Sequence, residues 1–347
     1  MNVTAQAIAG KAQSLNPRIL QSPADIRSLT PEWIDIYGRC PGATPFQRPE
    51  WLLAWIEAFA PRELFAIEVR DRQRLVGLAL LLIYPRDDQS VLAFAGGGVS
   101  DYLGMLCEAG REAALLQAVI AAVQADWSVL ELTDLRPNSE ILKLHSLKPY
   151  ILEHDLCFVL DLPSTHDELL HIFSRRQRAN LRNARSRLKH AGGAIIETAT
   201  QDNLLEFLDD LFRLHTSRWS QSGKPGVLHD ERVRQFHRIC APALHSRGIL
   251  KLHRMRVNGH TAAILYSLWE RDTVFCYLQG FDPEYATLSP GTQLMFAVMR
   301  EAIDAGIRKF DFLRGQESYK QHWRPQPSPT FHIALARDQL TRLICNT

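Results

Sequence analysis

No Cys-x-x-Cys pair occurs among the six cysteines of this 347-residue chain, Cys40, Cys107, Cys157, Cys240, Cys276 and Cys345. Their scatter argues against a thiolate zinc site or a disulfide framework and fits reduced thiols. The longest apolar run, residues 75–84, is about ten residues and too short to span a bilayer. The first residues show no apolar signal segment, so a soluble, cytoplasmic protein is the expectation. Charge of one sign is not in excess. A formal net charge of +2 excludes a wholesale nucleic-acid coat, though not a local basic patch. G-x-S-x-G, H-E-x-x-H, G-x-G-x-x-G and Walker motifs are all missing, which removes the hydrolase, zincin, dinucleotide and P-loop readings. His229, His237, His245 and His253 recur every eight residues. That spacing serves neither one helix face nor a metal site, and no metal is expected. What remains is 46% hydrophobic and 22% charged, an ordinary globular composition, long enough for two domains.

The order of patterns repeats. Residues 1–17 carry no periodicity and read as a tail, and two helical segments follow around "TPEWIDIYGRC" and "RPEWLLAWIEAFA". Then "LFAIEVR", "LVGLALLLIY" and "SVLAFAGGG" are separated by polar turns, as in an antiparallel meander. A helix over "REAALLQAVIAAVQA" and a strand "SVLELTDLRP" complete this half. The second half gives "ILKLHRMRV", Asn258-Gly259, "HTAAILYSLWE" and "TVFCYLQGF", another meander with the strongest short hairpin signal at its first turn. A loop, the helix "GTQLMFAVMREAIDAG" and the strand "KFDFL" follow. In the helix Leu294, Ala297, Val298 and Ala305 share a face, and Gly306 stands at the C-cap position. Both halves therefore read β-β-β-loop-helix-β, and both last strands end in Leu-Arg (Leu135-Arg136 and Leu313-Arg314). The fold class expected is α/β (α+β), two tandem domains at 18–163 and 164–347, each a mostly antiparallel sheet flanked by helices.

Five stretches carry chemistry. "TLSPGTQL" joins a strand to a helix start, where Ser289, Pro290, Gly291, Thr292 and Gln293 either cradle an anion or simply cap and open the helix. "KFDFLRGQESYKQHW" crowds Asp311, Arg314, Glu317, Tyr319, Lys320 and Trp323 at a strand end. Such ends are where open α/β sheets bind ligands, and a solvated loop is the alternative. Tyr with Lys there supplies a proton donor and a cation for developing negative charge. "GGGVSDYLG" offers Asp101 and Tyr102 on an open loop, or an ordinary Asp-closed turn. His215, Arg218 and Trp219 share one helix face, although a lone histidine is more often a packed one. "SRRQRANLRNARSRLKH" sets Arg178, Arg182, Arg185 and Lys189 in one stripe, with Leu181, Ala184 and Leu188 in another. The basic stripe fits tRNA, acidic headgroups or an acidic carrier protein, or it is a solvated face.

These blocks, with "EWLLAW" and "LVGLALL", resemble the GNAT acyltransferase superfamily over residues 30–335. They are closest in pattern to its CelD-type branch, associated with cell-envelope and polysaccharide biosynthesis, and to the Fem-type aminoacyltransferases. The resemblance implies an acyltransferase in which an amine attacks a thioester carbonyl held by a splayed strand, here "TVFCYLQG". It implies donor phosphate at Ser289, Pro290, Gly291, Thr292 and Gln293. Glu317, Tyr319, Lys320 and His215 would be the catalytic set. Asp101, Tyr102, Arg218, Trp219, Asp311, Arg314 and Trp323 would bind substrate, with Asp311 holding a neighbouring cation. The family's phosphate turn has Gln or Arg and then Gly where this chain has Ala286 and Ser289. Acyl carrier protein and aminoacyl-tRNA therefore stand beside acyl-CoA as donors, meeting the stripe of Arg178, Arg182, Arg185 and Lys189. The acceptor is a small-molecule, amino-sugar or lipid-precursor amine, with O-acetylation of a saccharide or a non-catalytic ligand-binding module as the rival readings.

Overall fold

A computed structural model describes residues 16–123, 126–221 and 226–340 of the chain. In order these form β1 (Asn16–Leu20), α1 (Pro23–Ser28), α2 (Thr30–Arg39), α3 (Pro49–Phe59), β2 (Glu63–Asp71), β3 (Arg74–Arg86), β4 (Gln89–Phe94), β5 (Leu106–Cys107), α4 (Glu112–Ala122) and β6 (Val129–Leu135). Then come β7 (Ile151–Asp161), α5 (His166–Ile172), α6 (Arg175–His190), β8 (Ile195–Thr198), α7 (Leu204–Gln221) and α8 (Glu231–Ser246). The remainder is β9 (Leu250–Val257), β10 (His260–Glu270), β11 (Thr273–Phe281), α9 (Pro290–Asp304), β12 (Lys309–Arg314), α10 (Ser318–Gln321) and β13 (Gln326–Ala336).

Both expected meanders form, β2-β3-β4 and β9-β10-β11, all antiparallel. Asn258 and Gly259 take the positive φ of 50° and 82° that a two-residue hairpin turn demands. Beyond this the halves fuse into one sheet, ordered β1-β2-β3-β4-β6-β13-β7-β12-β11-β10-β9-β8, with β5 pairing β3 at the side. The fusion is by interleaving. β13 lies antiparallel between β6 and β7, while β7 reaches β12. The division at 163/164 thus follows sequence order, whereas strand pairing crosses it. At the start of the described residues, Asn16 and Pro17, within the expected tail, already pair with Arg70 and Val69.

One sheet face is covered by α1–α3 from the first half and α7–α8 from the second, in a shared core that includes Trp33, Trp51, Phe207 and Phe236. On the opposite face α4 covers the first half and α9 the second, each over its own core. The strands between are therefore buried on both sides, and β3 reads as a near-continuous apolar run for that reason. In α9 the buried face is Leu294, Met295, Val298, Met299, Ala302 and Ile303, with Ala305 exposed at the C-cap. The two halves meet through α3 and α8, where Trp51 stands edge-on to Phe236 at 4.8 Å. Among the described residues no helix is long and apolar enough to cross a membrane, and no group of three His, Cys, Asp or Glu is placed to hold a metal.

Candidate functional site

β11 and β12 run parallel and in register only at Thr273–Lys309, Val274–Phe310 and Phe275–Asp311. Past these pairs they separate. Two local irregularities force the wedge open. In β11 the register with β10 slips between Tyr266 and Ser267, so that Tyr277 is an extra, bulged residue. In β12 Leu313 sits at φ +58°, a left-handed conformation costing about 1–2 kcal/mol for a leucine, and Gly315 follows at +107°. The alternation expected for "KFDFL", with Phe310 and Phe312 opposite Asp311 and Leu313, is lost at this bend. All four of those side chains are buried.

The wedge opens into a cavity of about 550 Å³, lined from the second half by Cys276–Gln279, Phe312–Arg314, Glu317, Tyr319, Lys320 and His215, and from the first by Gly98, Val99 and Asp101. α7 comes close enough to present His215 because β11 has a glycine beneath it. A Cβ on Gly280 would lie 2.8 Å from Leu214 Cβ and 2.9 Å from the His215 backbone nitrogen. The two halves are tied around the cavity by Tyr277 Oη, which donates to Val99 O at 2.7 Å.

Arg314 spans the halves. Its guanidinium lies 3.0 Å from Asp134, 3.3 Å from Asp101 and 3.9 Å from Asp155. These three carboxylates, not Asp311, hold it, and it also lines the cavity. Asp311 is buried elsewhere in the same wall, accepting hydrogen bonds from Tyr102 Oη at 2.9 Å and the Leu313 N–H at 2.8 Å. Neither Asp311 nor Tyr102 lines the cavity. Burial raises the carboxyls of Asp134 and Asp311. Asp101 is the one in the cavity wall. Burial pushes it up to about 7 against the pull of Arg314 and Lys320.

Lys320 is also placed differently from expectation. Its ammonium is buried, donating to the carbonyls of Leu313 (3.2 Å), Arg314 (2.6 Å) and Gly315 (3.0 Å), and lies 3.0 Å from Glu317 Oε2. A cation so fully engaged clamps the strained end of β12. Trp323 belongs to the core, 3% exposed and edge-on to Phe173 at 5.5 Å, and does not line the cavity. Glu317, Tyr319 and His215 do face the cavity. Among the histidines spaced by eight, His237 is wholly buried beside Tyr266 and Tyr277, and burial depresses it to about 3, so it stays neutral. The side chains of Arg218 and Trp219 lie outside the described residues.

The phosphate-type turn stands apart from the cavity lining. Ser289 occupies the N-cap of α9 at φ +51° and makes no side-chain cap, so the simple capping alternative fails. Gln293 is spent on structure, donating to Leu181 O at 3.0 Å. Arg187 donates to Thr287 O at 2.8 Å. The turn is thus braced from two sides by α6. On α6 itself Arg178 turns back to the carbonyls of Phe173 and Leu170, which removes it from the stripe. Arg175, Arg176, Arg182, Arg185, Arg187 and Lys189 are exposed, on a helix with no acidic residue.

The sequence reading places Tyr277 and Gln279 on the splayed strand without a role of their own, and it singles out neither Asp134 nor Asp155. Asp134 directly precedes the Leu135-Arg136 ending that the two last strands share, the nearest signal to it. Tyr277 carried none.

Residues 175–321 match the family model described as an acetyltransferase (GNAT) domain. No curated protein matches the chain. Among solved structures, FemX superposes with a TM-score of 0.65 at 13% identity, covering 94% of this chain and 99% of that one. The C-terminal domain of a putative lysylphosphatidylglycerol synthetase from Agrobacterium fabrum gives 0.56 at 11%, covering 93% and 95%. A tandem GNAT protein from the clavulanic acid biosynthesis pathway gives 0.50 at 14%, covering 93% and 99%. At such identities the likeness establishes the fold, a GNAT fold like that of the tandem proteins.

Proposed function

We propose that the chain is an N-acyltransferase moving an acyl group from a thioester, acyl-CoA in the first instance, to the amine of a small-molecule, amino-sugar or lipid-precursor acceptor. The observation carrying this reading is the wedge itself. Past Phe275 the β12-facing edge of β11 has no strand partner, and it borders a cavity of about 550 Å³ that holds a carboxylic acid, Asp101, titrating near neutrality. The match of residues 175–321 to an acetyltransferase domain supports it.

In this reading the thioester lies along Cys276–Gln279, and backbone N–H groups on the β12-facing edge of that segment polarise its carbonyl. The amine attacks, a C–N bond forms, and the C–S bond breaks. Asp101, as carboxylate, takes the amine proton, being both lined up on the cavity and of suitable acidity. Glu317 and His215 are the other acceptors within the lining. Tyr319 gives a proton to the departing thiolate and recovers one from water. Arg314 and Lys320 act as positioning residues, fixing Asp101 and the β12 bend. The donor's phosphates would sit at the open first turn of α9, at Gly291 and Thr292, with Ser289 and Pro290 shaping its entry.

One observation favours a second reading, tRNA-dependent aminoacyl transfer. The exposed cations of α6 form no ion pairs among the described residues, and that helix braces the α9 turn. An acyl carrier protein donor draws on the same surface. The deciding experiment is a donor screen by mass spectrometry, offering acyl-CoAs, acyl carrier protein and aminoacyl-tRNA with a pooled amine library. A thioester-dependent amide product is expected. Absence of both product and CoA binding would overturn the reading.

A further inference from the structure

The first half has a wedge of its own. β4 and β6 pair in parallel only at Val91–Val129, Leu92–Leu130 and Ala93–Glu131, then part as β11 and β12 do. Between them lies a cavity of about 340 Å³, lined by Phe94 and Leu135 at the two strand ends and by Tyr102, Glu112, Arg136 and Asn138. Its size is within the range of small-molecule sites. Tyr102 lines this cavity, and its hydroxyl is bonded to the buried Asp311 of β12.

Gln47 and Cys40 of this lining are already committed. Gln47 donates to Tyr102 O at 2.8 Å and accepts from Thr44, and Cys40 donates to Cys107 O. Two charges are not. Arg136 lies over the Tyr102 ring at 5.0 Å with one long hydrogen bond, 3.3 Å to Gly42 O, and no carboxylate at ion-pair distance among the described residues. Glu112, at the start of α4, likewise has no ion pair or hydrogen bond from its carboxylate there. Both residues are half-buried, and neither has a counter-charge at ion-pair distance among the described residues. A carboxylate at the first turn of α4 also repels phosphate, so this wedge is not a copy of the donor site.

We infer that this cavity is a second ligand site, taking a small molecule of the amino-acid class. Its carboxylate pairs with Arg136, its ammonium pairs with Glu112, and its apolar part rests on Phe94, Leu135 and the Tyr102 ring. The site does not depend on the acyl-transfer reading.

The test is calorimetric titration of the full chain with each proteinogenic L-amino acid at millimolar concentration, repeated for the best binder as its methyl ester and its N-acetyl derivative. Saturable one-to-one binding is expected, weakened at least about tenfold by either blocking group. Arg136→Met and Glu112→Gln should each weaken it as much, with Arg136→Lys recovering part. Should Arg136→Met fail to fold, the ester and N-acetyl comparisons on the unaltered chain decide alone. No saturable binding by any amino acid, or binding indifferent to both blocking groups, overturns the proposal.

Discussion

Tyr102 Oη lies 2.9 Å from the Asp311 carboxylate, a bond between the loop after β4 and the middle of β12 that crosses 209 positions of sequence. Both groups are buried, and Asp311 spends its other oxygen on the Leu313 N–H, at the residue whose left-handed backbone opens the wedge. Removing the hydroxyl leaves a buried acceptor unsatisfied. Tyr102→Phe is expected to cost about 1–3 kcal/mol in urea unfolding. A loss indistinguishable from zero would show that the halves are not joined through this pair.

Lys320 illustrates a functional-looking residue with a structural task. Three carbonyls and one carboxylate surround its ammonium. Deleting the charge while keeping the bulk, as in Lys320→Met, strands those carbonyls at the β12 bend. A destabilisation of about 3–5 kcal/mol is expected, since breaking a buried cation's contacts leaves its partners uncompensated. Lys320→Arg should not restore it, because a planar guanidinium cannot aim at three successive carbonyls. Full stability of Lys320→Met would refute the clamp.

How much of this was legible in the sequence divides along a physical line. Period-two alternation and Asn258-Gly259 gave both meanders, because those signals are local. β13 was not legible. Pro327 and Pro329 argue against a central strand, yet they fall where β13 has β7 alone as a neighbour, and the β6 pairing begins only at Phe331. α8, with Pro242 inside it, was hidden for a similar reason. Within the site, Asp101, Glu317, Tyr319 and His215 were named from residue type and do line the cavity. Trp323, expected there on the same grounds, packs in the core instead, and Lys320 reaches the lining with its ammonium bound to three carbonyls, contacts that arise only once the chain bends at Leu313. The grip of Asp101, Asp134 and Asp155 on Arg314 joins three separate segments, and no local pattern could report it.

The raised carboxyl of Asp101 fixes a sign for pH dependence. Its folded pKa of about 7 exceeds that of an unfolded aspartate, about 3.9, so between these values the folded state holds more protons than the unfolded one. Stability therefore falls as pH rises from about 4 to 7 and levels off above. Asp134 and Asp311, also raised, add to the same slope. Urea unfolding across that range should show the decline, shallower in Asp101→Asn. If Asp101 is the base, kcat/KM climbs with pH to a plateau above about 7, and Asp101→Asn loses roughly 100-fold or more. An unchanged pH profile in Asp101→Asn would move the role to Glu317 or His215.

The basic face of α6 separates the donor readings by salt. Arg182, Arg185 and Lys189 are exposed and unpaired among the described residues, so each phosphate they neutralise releases counterions. With aminoacyl-tRNA as donor, KM should rise steeply with ionic strength. The double variant Arg182→Glu/Arg185→Glu should then raise it at least about tenfold and flatten the slope by roughly two contacts' worth. With acyl-CoA, whose few phosphates would meet the α9 turn instead, the same variant should shift KM by less than about threefold. Steady-state kinetics at two salt concentrations with both donors is sufficient. A CoA-dependent rate that collapses in the double variant would mean that α6, rather than the first turn of α9, holds the donor's phosphates.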